Sequence, residues 1–212
     1  MELTQAQRRI HILMGALPRE EVLHMRRVGI LVDLFCRHLY DCGIVLHDLE
    51  CIQHYGRAAG YHDIGKAWVS PYILSSPEHL SAQEVAAIRR HPVYACQFFN
   101  RAAPVLCADI PSALFTAVRD CAIYHHEWWN GKGYPFGLTA EDIPLVSRIT
   151  SICDAFDAMT SNRVYRPAHS AQYACAELER HAGEQFDPQL VQAFLAAATV
   201  LLPHAFQTFS TL

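Results

Sequence analysis

His125 and His126 stand side by side and lead into a glycine-rich, aromatic loop, Glu127-Trp128-Trp129-Asn130-Gly131-Lys132-Gly133-Tyr134-Pro135. A tandem pair of imidazoles suits a transition metal. Gly131 and Gly133 let the backbone come close to a ligand, and Pro135 stiffens the exit. Further imidazoles and carboxylates complete a candidate set: Glu20, His24, His62, Asp63, His91, His125, His126 and Asp154. Mixed sets of this kind suit iron, manganese, zinc or nickel rather than magnesium or calcium. These ligands exceed what one ion needs and suffice for two or three ions that share a carboxylate. Clustered ions activate water and clamp the oxygens of a phosphoryl transfer.

Helices must position these residues. Glu20 and His24 lie four residues apart on the apolar stripe of a helix over 19–42, so their side chains are neighbours on one face. Glu20 is expected to join His24 at the metal; the other reading has it capping the helix start and facing solvent. A helix over about 47–61, carrying His47 and His54 as packing or surface residues, delivers His62-Asp63-Ile64-Gly65-Lys66. Ser81-Ala82-Gln83-Glu84 reads as a capping box for a helix that reaches His91, where Pro92 kinks or restarts it. Residues 102–111 carry two prolines and read as a loop. Ser112 then caps a helix that ends at His125-His126. A helix over about 144–160 carries Asp154. Two more follow, about 170–182 and 188–201, the second opened by Asp187-Pro188. No strand, repeat or low-complexity tract is evident. The fold class is all-α, with about seven or eight helices: a short N-terminal helical extension over 1–18, a catalytic domain over 19–201 and a tail over 202–212.

Composition narrows the classes. Hydrophobic residues make up 51% of the chain, which argues against disorder, and the net charge of -4 argues against a nucleic-acid polymer as partner. No secretory signal is read at the start, and the apolar run 190–202 is too short to cross a bilayer. The 8 cysteines contain no C-x-x-C pair, and most sit in apolar helical stretches, as buried free thiols of a cytoplasmic protein would. Of 17 basic residues only Lys66 and Lys132 are lysines, and each falls in a motif.

The motifs together carry a family resemblance. His62-Asp63-Ile64-Gly65-Lys66 resembles the signature of the HD superfamily of metal-dependent phosphohydrolases. The segment from His125 to Pro135, then Ile143-Pro144-Leu145, Arg148, Asp154, Phe156-Asp157-Ala158-Met159-Thr160-Ser161, Arg163, Tyr165-Arg166 and Phe186-Asp187-Pro188, closely resembles the HD-GYP phosphodiesterases. The resemblance covers roughly residues 20–195. It implies a single HD-GYP helical domain that hydrolyses cyclic di-GMP, a bacterial second messenger, to linear pGpG or GMP by attack of a metal-bridging hydroxide. It implies His24, His62, Asp63, His91, His125, His126 and Asp154 as ligands of two or three ions, iron or manganese, with Asp63 bridging. Glu20 matches the extra carboxylate of three-metal members. Lys66, Arg163 and Arg166 would hold phosphate oxygens, and Tyr134 would contact substrate.

The ligand set leaves open another cyclic dinucleotide, such as 3',3'-cyclic GMP-AMP, and a non-catalytic module that binds a cyclic dinucleotide or a GGDEF-type partner. Residues 190–202 are apolar on nearly every face and offer a homodimer contact. Two departures stand out: Leu74-Ser75-Ser76-Pro77 lacks the lysine common in relatives, and 34 residues separate His91 from His125. Trp128 and Trp129 fit either stacking on a base or packing of the loop.

Overall fold

The spacing of Met25, Val28, Leu31, Val32, Phe35 and Leu39 gives α2 (Arg19–Asp41) a continuous apolar stripe, and all six are buried. The computed structural model describes residues 4–44, 52–162 and 167–209. Before α2 comes α1 (Gln5–Gly15); after it come α3 (Tyr55–Ala59), α4 (Pro71–Leu74), α5 (Ala82–Ile88), α6 (His91–Asp109), α7 (Ser112–Tyr124), α8 (Leu145–Thr160), α9 (Ala171–Arg180) and α10 (Pro188–Phe209). Short 3-10 turns span Ile64–Trp68 and Ala140–Asp142. Among the described residues the only β pairing is two isolated bridges, Asn130 with Thr139 and Ala182 with Phe186. The all-α expectation holds, with α3, α4 and α5 as short pieces between the longer helices.

The core gathers where α2, α8 and α10 meet. Phe194 of α10 lies 5.2 Å edge-on from Phe35 of α2 and 5.4 Å from Phe156 of α8. Fully burying each such ring stabilises by about 1.5–3 kcal/mol, and the pairings add about 0.5–1.5 kcal/mol each. Ile10, Leu13 and Met14 of α1 pack on the same core, so the expected extension is part of one packed body.

Two stretches expected to lie outside helices, the loop 102–111 and the tail from 202, are helical through a proline. Pro104 lies inside α6, which runs through the expected loop 102–111 to Asp109. The stripe Phe99, Ala102 and Leu106 is almost fully buried across it. A proline inside a helix costs about 3 kcal/mol, and burial of that stripe returns more. Likewise α10 continues through Pro203, burying Leu202 and Ala205, so the expected tail is helical to Phe209. At 22 residues α10 is long and apolar enough to span a bilayer by length and composition, which removes the argument from shortness. Its Leu190, Val191, Phe194, Ala197 and Leu201 are buried on the domain core, while Val200 and Phe206 are exposed.

Local signals fare better. Ser81 and Glu84 form the expected capping box at α5. Asp187 Oδ1 accepts from Gln189 N–H at 2.9 Å and Leu190 N–H at 3.3 Å, capping α10. Helix α6 does restart at His91, with Pro92 in its first turn. Ser112 opens α7 as its first residue, without the expected side-chain cap. Cys36, Cys121 and Cys153 are buried free thiols, the first two pushed up to about 12 by burial, while Cys42 and Cys107 are exposed. His47 and Cys51 lie outside the described residues.

Candidate metal centre

Four histidines converge from four elements, and each has one ring nitrogen committed. His62 Nδ1 donates to Ala59 O at 2.8 Å, His91 Nδ1 to Ile88 O at 2.9 Å and His125 Nδ1 to Cys121 O at 2.9 Å. A carbonyl only accepts, so the proton sits on Nδ1 and Nε2 is left as a lone pair. His24 Nδ1 is likewise bonded to the Asp157 carboxylate at 2.7 Å. Every Nε2 then points at Asp63 or Asp154.

The ligand atoms form two groups. Asp63, His91, His125 and His126 make one, and His24, His62 and Asp154 the other. Asp63 stands between them. Its Oδ1 lies 3.0 Å from His91 Nε2 and 3.7 Å from His125 Nε2, while its Oδ2 lies 3.3 Å from His62 Nε2 and 4.0 Å from His24 Nε2. Asp154 Oδ1 is 3.0 Å from His24 Nε2 and 3.7 Å from His62 Nε2. His62 Nε2 and Asp63 Oδ1 are buried and have no hydrogen-bond partner among the described residues. Leaving such atoms unmatched costs about 1–3 kcal/mol apiece; a divalent cation between the groups matches them.

The charge states suit that role. Burial pushes His125 down to about 4, helped by His62 and His91. His126 is held well below the usual range by burial, then by His125 and His91. Both rings are therefore neutral donors at neutral pH. Burial would raise the Asp63 carboxyl, but Lys66, His62 and His91 outweigh it and hold it well below the carboxylate range. Asp154 is lowered in the same way by His24 and His62.

Backbone contact joins two of the supporting elements. A side chain on Gly65 would place its Cβ 2.0 Å from His91 O, so only glycine lets the first turn of α6 lie against the His62–Lys66 turn. That approach brings His91 to Asp63.

A family model described as an HD domain matches residues 37–190, which takes in His62, Asp63, His91, His125, His126 and Asp154. The chain belongs to the HD domain family. The HD-GYP resemblance stands with it. The 3'3'-cGAMP-specific phosphodiesterase 2 of Vibrio cholerae is 33% identical over 177 residues, covering 84% of this chain and 31% of that protein. A cyclic di-GMP phosphodiesterase of Thermotoga maritima is 33% identical over 172 residues, covering 81% of this chain and 43% of that protein. The chain thus spans under half the length of either. Among solved structures, Bd1817, an HDG"Y"P protein from Bdellovibrio bacteriovorus, superposes with a TM-score of 0.60 over 82% of this chain and 52% of that one. At 19% identity that likeness is one of fold.

Within this HD domain, Glu20 is exposed on the first turn of α2 and belongs to neither ligand group. Its neighbour Glu21 turns inward and accepts from Lys66 Nζ at 2.8 Å. Lys66 Nζ is also 2.8 Å from Asp63 Oδ2. Burial alone would lower the Lys66 pKa, but Asp63 and Glu21 raise it, so the ammonium is fixed as a cation beside the centre. Lys132, the other lysine, is exposed.

The GYP loop is held from within. Glu127, buried, accepts from the N–H groups of Phe136 at 2.6 Å, Gly137 at 2.9 Å and Leu138 at 3.1 Å. A Cβ on Gly133 would meet Trp128 N at 2.2 Å, so this glycine serves a backbone crossing inside the loop rather than approach to a ligand. Tyr134 stacks on His126 with ring centroids 4.7 Å apart. Burial first, then Asp63, raises its phenol well above the usual value, so it stays protonated. Trp129 N–H donates to Gln185 O at 3.1 Å and Asn130 N–H to Glu184 O at 2.9 Å. Arg148 lies over the Trp129 ring and bonds Asp187 at 2.7 Å, which favours the packing role for that tryptophan.

Sequence reasoning missed Glu127, Glu21, Asp157 and Arg27. Asp157 sits one turn beyond Asp154, a signal that was available. Arg163 and Arg166 lie outside the described residues. A separate cavity of about 1030 Å³, walled by Ile10, Met14, Gly29, Phe99 and Leu114, holds none of the candidate ligands.

Proposed function

We propose that this HD domain is a divalent-metal phosphodiesterase that opens a cyclic dinucleotide, cyclic di-GMP first, to linear pGpG or GMP. The observation that carries this reading is the placement of Asp63, whose two oxygens face two separate imidazole–carboxylate groups. Two ions, iron or manganese, fit these groups. His24, His62 and Asp154 would hold one, His91, His125 and His126 the other, with Asp63 shared. A third ion would need Glu20, which is exposed and belongs to neither ligand group. When bound, the ions supply an activated water and neutralise phosphoryl oxygens.

The chain's own residues set the stage for that chemistry. Lys66, held by Glu21 and Asp63, keeps a positive charge where phosphoryl charge develops. Tyr134 presents a protonated phenol beside His126. Arg163 and Arg166 are assigned to phosphate oxygens on the family resemblance alone, since arginine forks match phosphate geometry. The curated relatives include enzymes named for cyclic di-GMP and for 3'3'-cGAMP, so the second nucleotide is the alternative substrate. A homodimer, if formed through α10, would use its exposed Val200 and Phe206.

The test is metal analysis of anaerobically purified protein beside hydrolysis assays on both nucleotides. Two ions per chain with turnover of either nucleotide is the expected result. Asp63→Asn should lose both metal and turnover. A fully loaded protein that binds a cyclic dinucleotide without cleaving it would replace the enzyme by a binding module.

A further inference from the structure

We propose that Arg89 is a substrate-contacting residue that grips the phosphate of a cyclic dinucleotide lying outside the two ligand groups. The assignment rests on the phosphodiesterase reading above and adds to it a specific cation, two residues before His91.

The cations near the centre differ in what already holds them. Lys66 is bound by Asp63 and Glu21, and Arg27 is bound in two places by Asp157. Their charges are matched by carboxylates. Arg89 is exposed and has no carboxylate partner among the described residues. Its guanidinium carbon stands 4.4 Å from the centroid of the Tyr134 ring. That ring in turn stacks on the candidate ligand His126. Arg89 is therefore one aromatic ring removed from the ligand groups, and its fork makes no hydrogen bond to a carboxylate among the described residues.

The local structure makes this placement more than an exposed side chain at random. Arg89 follows the end of α5, in the turn whose Ile88 carbonyl takes the His91 Nδ1 proton. The backbone that orients His91 thus also orients Arg89. The adjacent Arg90 goes elsewhere, over Tyr94 at 5.4 Å. A guanidinium resting on an aromatic face loses conformational freedom before any ligand arrives, which favours binding. Its planar donors stay available at the edge, and they match two phosphate oxygens at once.

A cyclic dinucleotide has two phosphodiesters. The one being cleaved must lie on the ligand groups. The other remains charged and must be met outside them. Arg89, a cation with no carboxylate partner among the described residues, stands outside the ligand groups, beyond the Tyr134 ring, where a second phosphate and not a single-phosphate diester would meet it.

The experiment compares wild type, Arg89→Ala and Arg89→Lys as metal-loaded proteins, on cyclic di-GMP, on 3'3'-cGAMP and on bis(p-nitrophenyl) phosphate. For Arg89→Ala, KM for the cleaved cyclic dinucleotide should rise about tenfold to a hundredfold, the loss of a charge-assisted bond. Its kcat and its metal content should stay within about twofold. Activity on the single-phosphate diester should not change. Arg89→Lys should recover part of the KM, because charge remains while the fork is lost. Unchanged KM in Arg89→Ala overturns the assignment and leaves the phosphodiesterase reading intact. Equal losses on all substrates, or loss of metal, also overturn it, because Arg89 would then act by supporting the GYP loop. A wild type that cleaves neither cyclic dinucleotide removes the function and this assignment together.

Discussion

Arg27 grips Asp157 through two bonds, Nε to Oδ1 at 2.7 Å and Nη2 to Oδ2 at 2.9 Å, and Asp157 passes that restraint to His24 Nδ1 at 2.7 Å. An imidazole fixed in this way presents Nε2 in one orientation and as a better donor. We expect Asp157→Asn and Arg27→Ala to weaken metal binding by about 10- to 100-fold while the fold survives. Chelator competition reads the affinity, and circular dichroism checks the fold. Unaltered affinity in Asp157→Asn would show that His24 needs no such support.

Metal uptake should depend on pH. Burial would lower the His24 pKa, but its bonds to Asp154 and Asp157 push it up to about 9 in the metal-free chain. Below that value His24 is protonated, and Nε2 must lose its proton before it can ligate. Apparent affinity at the His24–His62–Asp154 group should therefore climb as pH rises from neutrality towards about 9, then level off. Titrations that release no proton at neutral pH would contradict this.

The two neighbouring glutamates should behave differently. Glu20→Ala should leave metal content unchanged, since Glu20 is exposed and belongs to neither ligand group. Glu21→Ala removes one of the two carboxylates on Lys66 and should lower turnover with metal retained. Elemental analysis of both variants decides; loss of one ion in Glu20→Ala would restore the three-ion arrangement.

Glu127→Ala should destabilise the domain. It leaves three loop N–H groups without their charged acceptor. Phe136 and Gly137 are exposed and Leu138 is half-buried, so water takes over part of these bonds and the loss is about 1–3 kcal/mol in all. For a chain of this size that lowers Tm by roughly 3–12 °C. A thermal scan showing less than about 2 °C would mean that the loop is held chiefly by its contacts to Glu184 and Gln185.

What was readable in the sequence was mostly local. The ligand types and their order could be read because His and Asp are rare partners at such spacing, and Ser81 with Glu84 announces its own hydrogen bonds. Glu20 and Glu21 could not be told apart. One sits four residues before His24, the other three, and both spacings put side chains near one another on a helix. The choice is made by Lys66, which comes from a distant segment. The prolines of 102–111 misled for a related reason: a local breaker says nothing of the apolar stripe that continues past Pro104. Gly133 was credited to a ligand because the backbone crossing over Glu127 and Trp128 has no signature along the chain.

The contacts of Trp129 and Asn130 with Gln185 and Glu184 also order events in time. A ribosome makes residues 184–187 long after it has made the loop they brace. Until they emerge, the loop lacks those two hydrogen bonds and the grip of Asp187 on Arg148. The brace on the loop forms only when synthesis nears the start of α10. Any premature stop before residue 184 therefore removes both the brace of the loop and α10, whose Phe194 closes the core against Phe35 and Phe156.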